Sequence, residues 1–156
     1  MTARSRTKGA SGELELARLL HEMTGVRFAR ALDQCRDGGG DLVPDDPAWP
    51  LSVEIKRRAA GHGCEPSWRA QAAKAAAGKL GLWPCVVFRF DRQPWRASLP
   101  IEAVIEATGG SPGDCAEWCE MTLDGLAYVA REMMARRALA ANPWPYDGPP
   151  YSESIS

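Results

Sequence analysis

The order of apolar and polar residues along the chain predicts helices that alternate with strands. An apolar stripe runs from Leu16 to Met23, after Ser11 as a cap and before Gly25, and this spacing is typical of a helix. Apolar and polar residues alternate in VRFARAL and LSVEIKRR, whereas PCVVFRF is an almost continuous apolar run, and both patterns indicate strands. The predicted helices cover residues 11–23, 67–80, 101–107 and 115–140, and the predicted strands cover residues 26–32, 41–44, 51–58 and 84–90. This order predicts an α/β fold with a mixed sheet, in which the first three strands form a meander and residues 91–100 form a turn and an edge segment.

The two ends of the chain differ in composition from its middle. Residues 1–10 are basic, with Arg4, Arg6 and Lys8, and we expect a flexible arm there. Residues 141–156 are rich in proline and polar residues, which predicts a disordered tail that could dock a partner protein. Residues 1–140 are then one domain, long enough to bury a core.

Composition and charge narrow the class of protein. No apolar run approaches the roughly 20 residues that cross a membrane, and the basic N-terminus has no apolar segment behind it, so we expect no secretory signal. The five cysteines have no regular spacing, which argues against a disulfide framework and predicts a protein of the reducing cytoplasm. The net charge is −1, but Lys and Arg outnumber the acids over residues 54–79, and such a segment permits a polyanionic partner.

Charged residues inside the predicted strand LSVEIKRR are the candidate chemistry. Val53 and Ile55 lie on one face of this strand, and Glu54 and Lys56 lie on the other. Asp41 follows three glycines, which allow a sharp turn, and it begins the neighbouring strand, so we expect it beside Glu54. Two adjacent carboxylates repel unless a cation lies between them, and Mg²⁺, with Mn²⁺ as a substitute, suits these oxygen ligands and the backbone carbonyl of Ile55. With Lys56 to hold a water or stabilise a phosphate, the pattern indicates metal-assisted phosphodiester hydrolysis.

A wider set of residues resembles the PD-(D/E)XK nuclease superfamily. An Asp, a spacer and E-x-K on adjacent strands follow RTKGASGELELARLL, in which a basic arm and K-G precede a Glu that opens the first helix. Over about residues 4–90 this arrangement is similar to archaeal-type (Hjc-like) Holliday junction resolvases and their phage-encoded relatives. The resemblance implies a restriction-endonuclease-like fold, with a mixed central sheet flanked by helices and a helical C-terminal segment.

The resemblance also implies a role for individual residues. The metal-binding Asp and Glu of the family match Asp41 and Glu54, and its catalytic Lys matches Lys56. Its first-helix Glu matches Glu13, which would complete the metal site directly or through water, and Gln71 matches a supporting polar residue in the following helix. The protein would be a homodimer that cuts a four-way DNA junction in recombination or repair. The implied DNA phosphate contacts are Arg4, Arg6, Lys8, Arg57 and Arg58.

The chain departs from the family at several places, and other functions suit the same residues. Gly40 stands where the family usually has a proline, and neither PDDPAWP nor the region after Phe90 matches it. A repair or restriction-type nuclease would use the same site, and a non-catalytic module would bind branched DNA without cutting it. Taken alone, Asp41, Glu54 and Lys56 also suit a surface hairpin with a cross-strand salt bridge. We expect a Mg²⁺-dependent endonuclease that selects DNA by its structure.

Overall fold

A computed structural model describes the backbone of residues 3–31 and 40–142 and the side chains of residues 9–31 and 40–142. Most of the predicted C-terminal tail, residues 143–156, lies outside the described residues. The elements in chain order are α1 (Ala3–Thr24), β1 (Phe28–Arg30), β2 (Leu42–Pro44), β3 (Leu51–Arg58), α2 (Pro66–Ala76), β4 (Trp83–Phe90), β5 (Arg96–Pro100), α3 (Ile101–Ala107), β6 (Trp118–Thr122) and α4 (Leu123–Ala141).

Four of the strands form one mixed sheet in the order β3–β4–β5–β6. β3 and β4 are parallel, with Leu51 opposite Trp83, and α2 makes the crossover that a parallel pair requires. β5 and β6 continue the sheet as antiparallel neighbours. β1 and β2 form a separate antiparallel pair. The catalytic strand predicted from the sequence, β3, therefore lies at one edge of the four-stranded sheet.

Helices cover both faces of this sheet, as the alternation in β3 and the apolar run in β4 require. On one face, Leu16 and Leu20 of α1 and Leu126 of α4 belong to the main core, together with Val53. On the other face, α2 contributes to a second cluster, whose buried members are Cys64, Trp68, Ala72, Val86, Phe88 and Phe90. This architecture confirms the predicted α/β fold with a mixed sheet flanked by helices and a C-terminal helix.

The start of the first helix was predicted wrongly. α1 begins at Ala3 rather than at residue 11, so the residues expected as a flexible arm are helical from Ala3 onward. Gly12 weakens the local helix propensity, but its lack of a side chain lets the helix approach the sheet. A Cβ at Gly12 would lie 2.6 Å from Cδ of Arg57. Gly12 therefore marks a close approach of α1 to the Arg57 side chain of β3.

Three strand predictions also differ from the structure. The expected meander is wrong, because β3 pairs with β4 and not with β2. Residues 91–100 contain β5, an internal strand rather than an edge segment. Residues 118–122 form β6 and not a helix, and the α4 helix begins only after Thr122, whose side chain accepts a hydrogen bond from the N–H of Gly125. Pairing with β5 supplies the backbone hydrogen bonds of β6, and no local pattern reveals that partner.

No helix in the described part of the chain is long and apolar enough to cross a membrane.

Candidate active site

Asp41 is attached to the free edge of β3 by its backbone and its side chain. Its N–H donates to the carbonyl of Val53 at 2.7 Å, and its Oδ2 accepts from the N–H of Ile55 at 2.6 Å. Gly40 permits this approach, because a Cβ at that position would lie only 2.8 Å from the carbonyl oxygen of Val53. The close contact of these two backbones therefore holds the Asp41 carboxylate against the strand that carries Glu54.

Glu54, Lys56 and Gln71 form a closed set of hydrogen bonds on the α2 side of the sheet. Glu54 is only 6% exposed, and a carboxylate at this depth needs partners. Its Oε1 accepts from Nζ of Lys56 at 2.9 Å and from Nε2 of Gln71 at 2.6 Å. Nζ of Lys56 also donates to Oε1 of Gln71 at 2.8 Å. The structure thus brings together three residues that the sequence analysis had singled out, and α2 supplies the third of them.

The Asp41 carboxylate lies in an unfavourable electrostatic environment. The pKa of Asp41 is raised to about 6, mainly by burial and also by the negative charges of Glu54 and Glu13, against the lowering effects of the Ile55 N–H and of Lys56. Glu13, from α1, is one of the negative charges that disfavour the ionised form of Asp41. Asp41 therefore lies beside the strand that carries Glu54, in an environment that disfavours its negative charge.

Glu13 has a cationic partner that the sequence analysis missed. Nε of Arg30, on β1, donates to Oε2 of Glu13. The sequence signal was weak, because Arg30 is simply one polar position in an alternating strand. The pairing compensates the charge of Glu13 and leaves Asp41 as the less compensated carboxylate.

Arg57 and Arg58, the two predicted DNA-contacting residues whose side chains are described, lie on different faces of the sheet. Arg57 and Arg58 are consecutive in β3 and so leave the strand on opposite faces. Arg57 lies 4.0 Å from a carboxylate oxygen of Asp91, whereas the guanidinium of Arg58 lies over the ring of Trp68, 5.7 Å from its centroid. Arg4, Arg6 and Lys8 lie in the first turns of α1, and their side chains are not among those that the structure describes. Their contact with DNA stays a prediction.

The donor atoms at this edge fit a hard divalent cation. Among the described residues, no group of three or more His, Cys, Asp or Glu side chains is arranged to hold a metal ion, so a metal here would depend on two carboxylates and other oxygens. The N–H of Ile55 points to the free edge, and its carbonyl therefore faces the same edge, beside Asp41. Asp41, Glu54 and this carbonyl leave positions for water, which Mg²⁺ usually retains. The raised pKa of Asp41 means that its negative charge is disfavoured, and a bound cation would therefore stabilise the ionised carboxylate.

Comparison with protein families agrees with this geometry. The family model described as "Phage putative PDDEXK endonuclease" matches residues 4–117, which is more than two thirds of the chain. The matched region includes the five residues predicted to be catalytic, Glu13, Asp41, Glu54, Lys56 and Gln71. No curated protein and no solved structure matches the chain. The match confirms the PD-(D/E)XK resemblance and a phage origin but does not extend to junction resolvases. The chain belongs to the phage PDDEXK endonuclease family.

Proposed function

We propose that this member of the phage endonuclease family is a Mg²⁺-dependent, structure-selective DNA endonuclease that resolves four-way junctions. The observation that carries the proposal is that Asp41 is held at the free edge of β3, next to the strand face where Glu54 pairs with Lys56. A buried carboxylate whose pKa is raised, next to a second carboxylate and a lysine, suits a metal-assisted hydrolytic site better than a structural ion pair. A surface hairpin with one cross-strand salt bridge would have no reason to bury Glu54.

Asp41, Glu54 and the carbonyl of Ile55 would hold the metal ion, with Glu13 contributing through water. When bound, Mg²⁺ lowers the pKa of a coordinated water and neutralises charge on the phosphate. Glu13 keeps its carboxylate in position through Arg30. The arrangement presents oxygen ligands at an open strand edge, where a DNA backbone can approach.

Lys56 is held so that one of its donors is left for the substrate. Its ammonium has three N–H groups, and Glu54 and Gln71 accept two of them. The third can donate to a phosphate oxygen or to the attacking water, which stabilises negative charge as the phosphodiester bond breaks. Gln71 is a positioning residue in this scheme, because it fixes both Lys56 and Glu54.

The four-way junction is proposed as the substrate because the order of Glu13, Asp41, Glu54 and Lys56 resembles that of the junction resolvases. Such an enzyme would recognise backbone charge and junction shape, with little dependence on base sequence. A homodimer would bring two copies of the site to the two strands that must be cut. We propose the cytoplasm as its location and the C-terminal tail as a possible docking segment for a protein partner.

Cleavage of defined DNA substrates tests the proposal. Purified protein is incubated with a synthetic four-way junction, a duplex of the same sequence and its single strands, with Mg²⁺ or Mn²⁺. We expect paired nicks in the junction only, and a loss of at least about a hundredfold in rate for Glu54→Gln. Glu22→Gln is the matched control, because Glu22 is an exposed carboxylate that pairs with Arg18 on the outside of α1. Its rate should equal that of the wild type.

The other outcomes separate the alternatives. Cutting of all substrates, lost in Glu54→Gln, would keep the nuclease site and replace the junction by a repair or restriction-type substrate. Tight junction binding without cutting in either metal would instead identify a non-catalytic branched-DNA module.

A further inference from the structure

A cavity of about 170 Å³ opens at the start of β3, beside the candidate active site. At roughly 30 Å³ per water molecule, it has room for about five or six waters and therefore for a larger group. None of the proposed catalytic residues lines it, but Gly40, which precedes Asp41, does. Ser52 also lines it, and Ser52 lies on the same strand face as Glu54, roughly 6.6 Å away at about 3.3 Å per residue.

The walls of this cavity are mainly apolar, with two polar exceptions. The apolar lining includes Leu42, Pro44, Leu51 and Leu82. The exceptions are Ser52 and Lys79. This combination is typical of a site that takes a largely apolar, ring-containing group and orients it with a few polar contacts.

Ser52 is a buried hydroxyl that lacks a partner. The residue is 5% exposed, and its Oγ forms no hydrogen bond within the described part of the chain. A Cβ built on Gly40 would lie 3.2 Å from this Oγ, which places the hydroxyl next to another residue of the cavity wall. An unpartnered buried hydroxyl destabilises a folded protein, and a ligand with a donor or acceptor would satisfy it.

Lys79 and Leu80 extend the same surface outward. Lys79 makes no ion pair with any described residue, and Leu80, next to it, is fully exposed. Gly78 and Gly81 flank them with φ of +76° and +77°, a conformation that other residues rarely adopt. This turn therefore presents the Lys79 ammonium at the cavity wall, and the next residue in the chain is an exposed leucine. An ammonium pairs with phosphate, and an exposed leucine can contact a base.

We propose that the cavity is a subsite for one nucleoside of the DNA strand, next to the phosphodiester bond that is cut. The sugar and base lie against the apolar walls, the Ser52 hydroxyl forms a hydrogen bond to the base, and Lys79 pairs with the adjoining phosphate. The proposal rests on the nuclease function proposed above, and it adds a specific contact beside the scissile phosphate. The apolar walls and single ammonium favour a nucleoside over a bare phosphate ion.

Binding measurements on two variants test this subsite. Affinity for a fluorescently labelled four-way junction is measured by anisotropy over a range of salt concentrations, without divalent metal ions. We expect Ser52→Ala to weaken binding by about two- to tenfold, the effect of one net hydrogen bond. Lys79→Gln should lower the slope of log affinity against log salt by about 0.7 to 0.9, the contribution of one phosphate contact. Ser111→Ala and Arg131→Gln are exposed matched controls and should match the wild type in affinity and salt slope.

Two further measurements distinguish a ligand contact from a structural role. Thermal unfolding of Ser52→Ala should occur at or above the wild-type temperature, because the deleted hydroxyl has no partner in the folded protein. After the cut position is mapped, an abasic nucleotide is placed on either side of it in turn. At one of these two positions, the wild type and Ser52→Ala should bind with equal affinity, because the group that Ser52 contacts is gone.

The failures of the two proposals are distinguishable. If the wild type cuts DNA but both variants keep its affinity and salt slope, the subsite is wrong and the nuclease function stands. If the wild type neither binds nor cuts any DNA, the nuclease proposal is wrong and the subsite fails with it.

Discussion

Replacing Asp41 by Asn should make the metal-free protein more stable at neutral pH. Burial and the neighbouring carboxylates raise the pKa of Asp41 from its ordinary 3.8 to about 6. The folded state therefore holds this proton more tightly than the unfolded state does. The free energy of unfolding of the wild type should fall as the pH rises from about 4 to about 6, because the carboxylate must then ionise in an unfavourable place. Asn cannot ionise, so the variant lacks this fall.

The size of this change in the free energy of unfolding follows from the difference between the pKa of Asp41 in the folded and the unfolded protein. A difference of about two pKa units corresponds to about 3 kcal/mol at most, at about 1.4 kcal/mol per unit. Asp41 is only partly buried, and solvent screening reduces this to about 1 to 2 kcal/mol. Between pH 4 and pH 7, the free energy of unfolding of Asp41→Asn should therefore rise by that amount relative to the wild type. The hydrogen bond from Ile55 survives, because the Asn side chain retains an accepting oxygen.

Urea unfolding at pH 4 to 8, without divalent metal ions, measures this difference directly. The value at pH 4 serves as the reference for each protein, and groups that titrate in both proteins cancel. Asp124→Asn is the matched control, because Asp124 is exposed in the first turn of α4, beside the opposite edge of the sheet. Its difference from the wild type should stay within about 0.5 kcal/mol.

Added Mg²⁺ extends the same reasoning to the proposed metal site. At ten times its Kd, Mg²⁺ should stabilise the wild type by about 1.4 kcal/mol at pH 7.5. The gain should shrink below pH 6, where protons compete for Asp41, and Asp41→Asn should gain less at every pH. A wild-type-to-variant difference that is the same at pH 4 and pH 8 would refute the claim that Asp41 is held in an unfavourable environment.

Two other substitutions test how the site is positioned. Gly40→Ala should destabilise the protein by about 1 to 3 kcal/mol in urea unfolding, because its Cβ would lie 2.8 Å from the Val53 carbonyl oxygen. Gly113→Ala, with nothing within 4 Å of its Cβ, should change stability by less than about 0.5 kcal/mol, and equal effects would contradict the packing argument. Gln71→Ala should slow junction cleavage by about tenfold while changing stability by less than about 1 kcal/mol, because an exposed residue loses its hydrogen bonds to the site. An unchanged cleavage rate, equal to that of the exposed control Ala73→Ser, would mean that Lys56 is positioned without Gln71.

Local patterns in the sequence were enough to predict much of the candidate site. The alternation of side chains in a strand is a property of the backbone, so the pattern of β3 placed Glu54 and Lys56 on one face. The glycines before Asp41 predicted a sharp turn, whereas the close approach of Gly40 to the backbone of Val53 is seen only in the structure. Helix α3 was predicted with its observed bounds, because turn residues follow a short apolar segment.

Contacts between distant parts of the chain decided the rest. β3 lies at a sheet edge because it pairs with β4 across the α2 crossover, and this pairing leaves Asp41 free to occupy the other side of the strand. β6 became a strand only because β5 lies beside it. Arg30 likewise pairs with Glu13 only because the tertiary structure brings β1 beside α1.

The sequence by itself therefore determined which side chains could do the chemistry, since residue type and strand period are local. Only the tertiary structure decided which of them meet, how deeply Asp41 is buried, and that Ser52 and Lys79 share a cavity. These features depend on the packing of segments far apart in the chain, and no local periodicity encodes the distance between such segments.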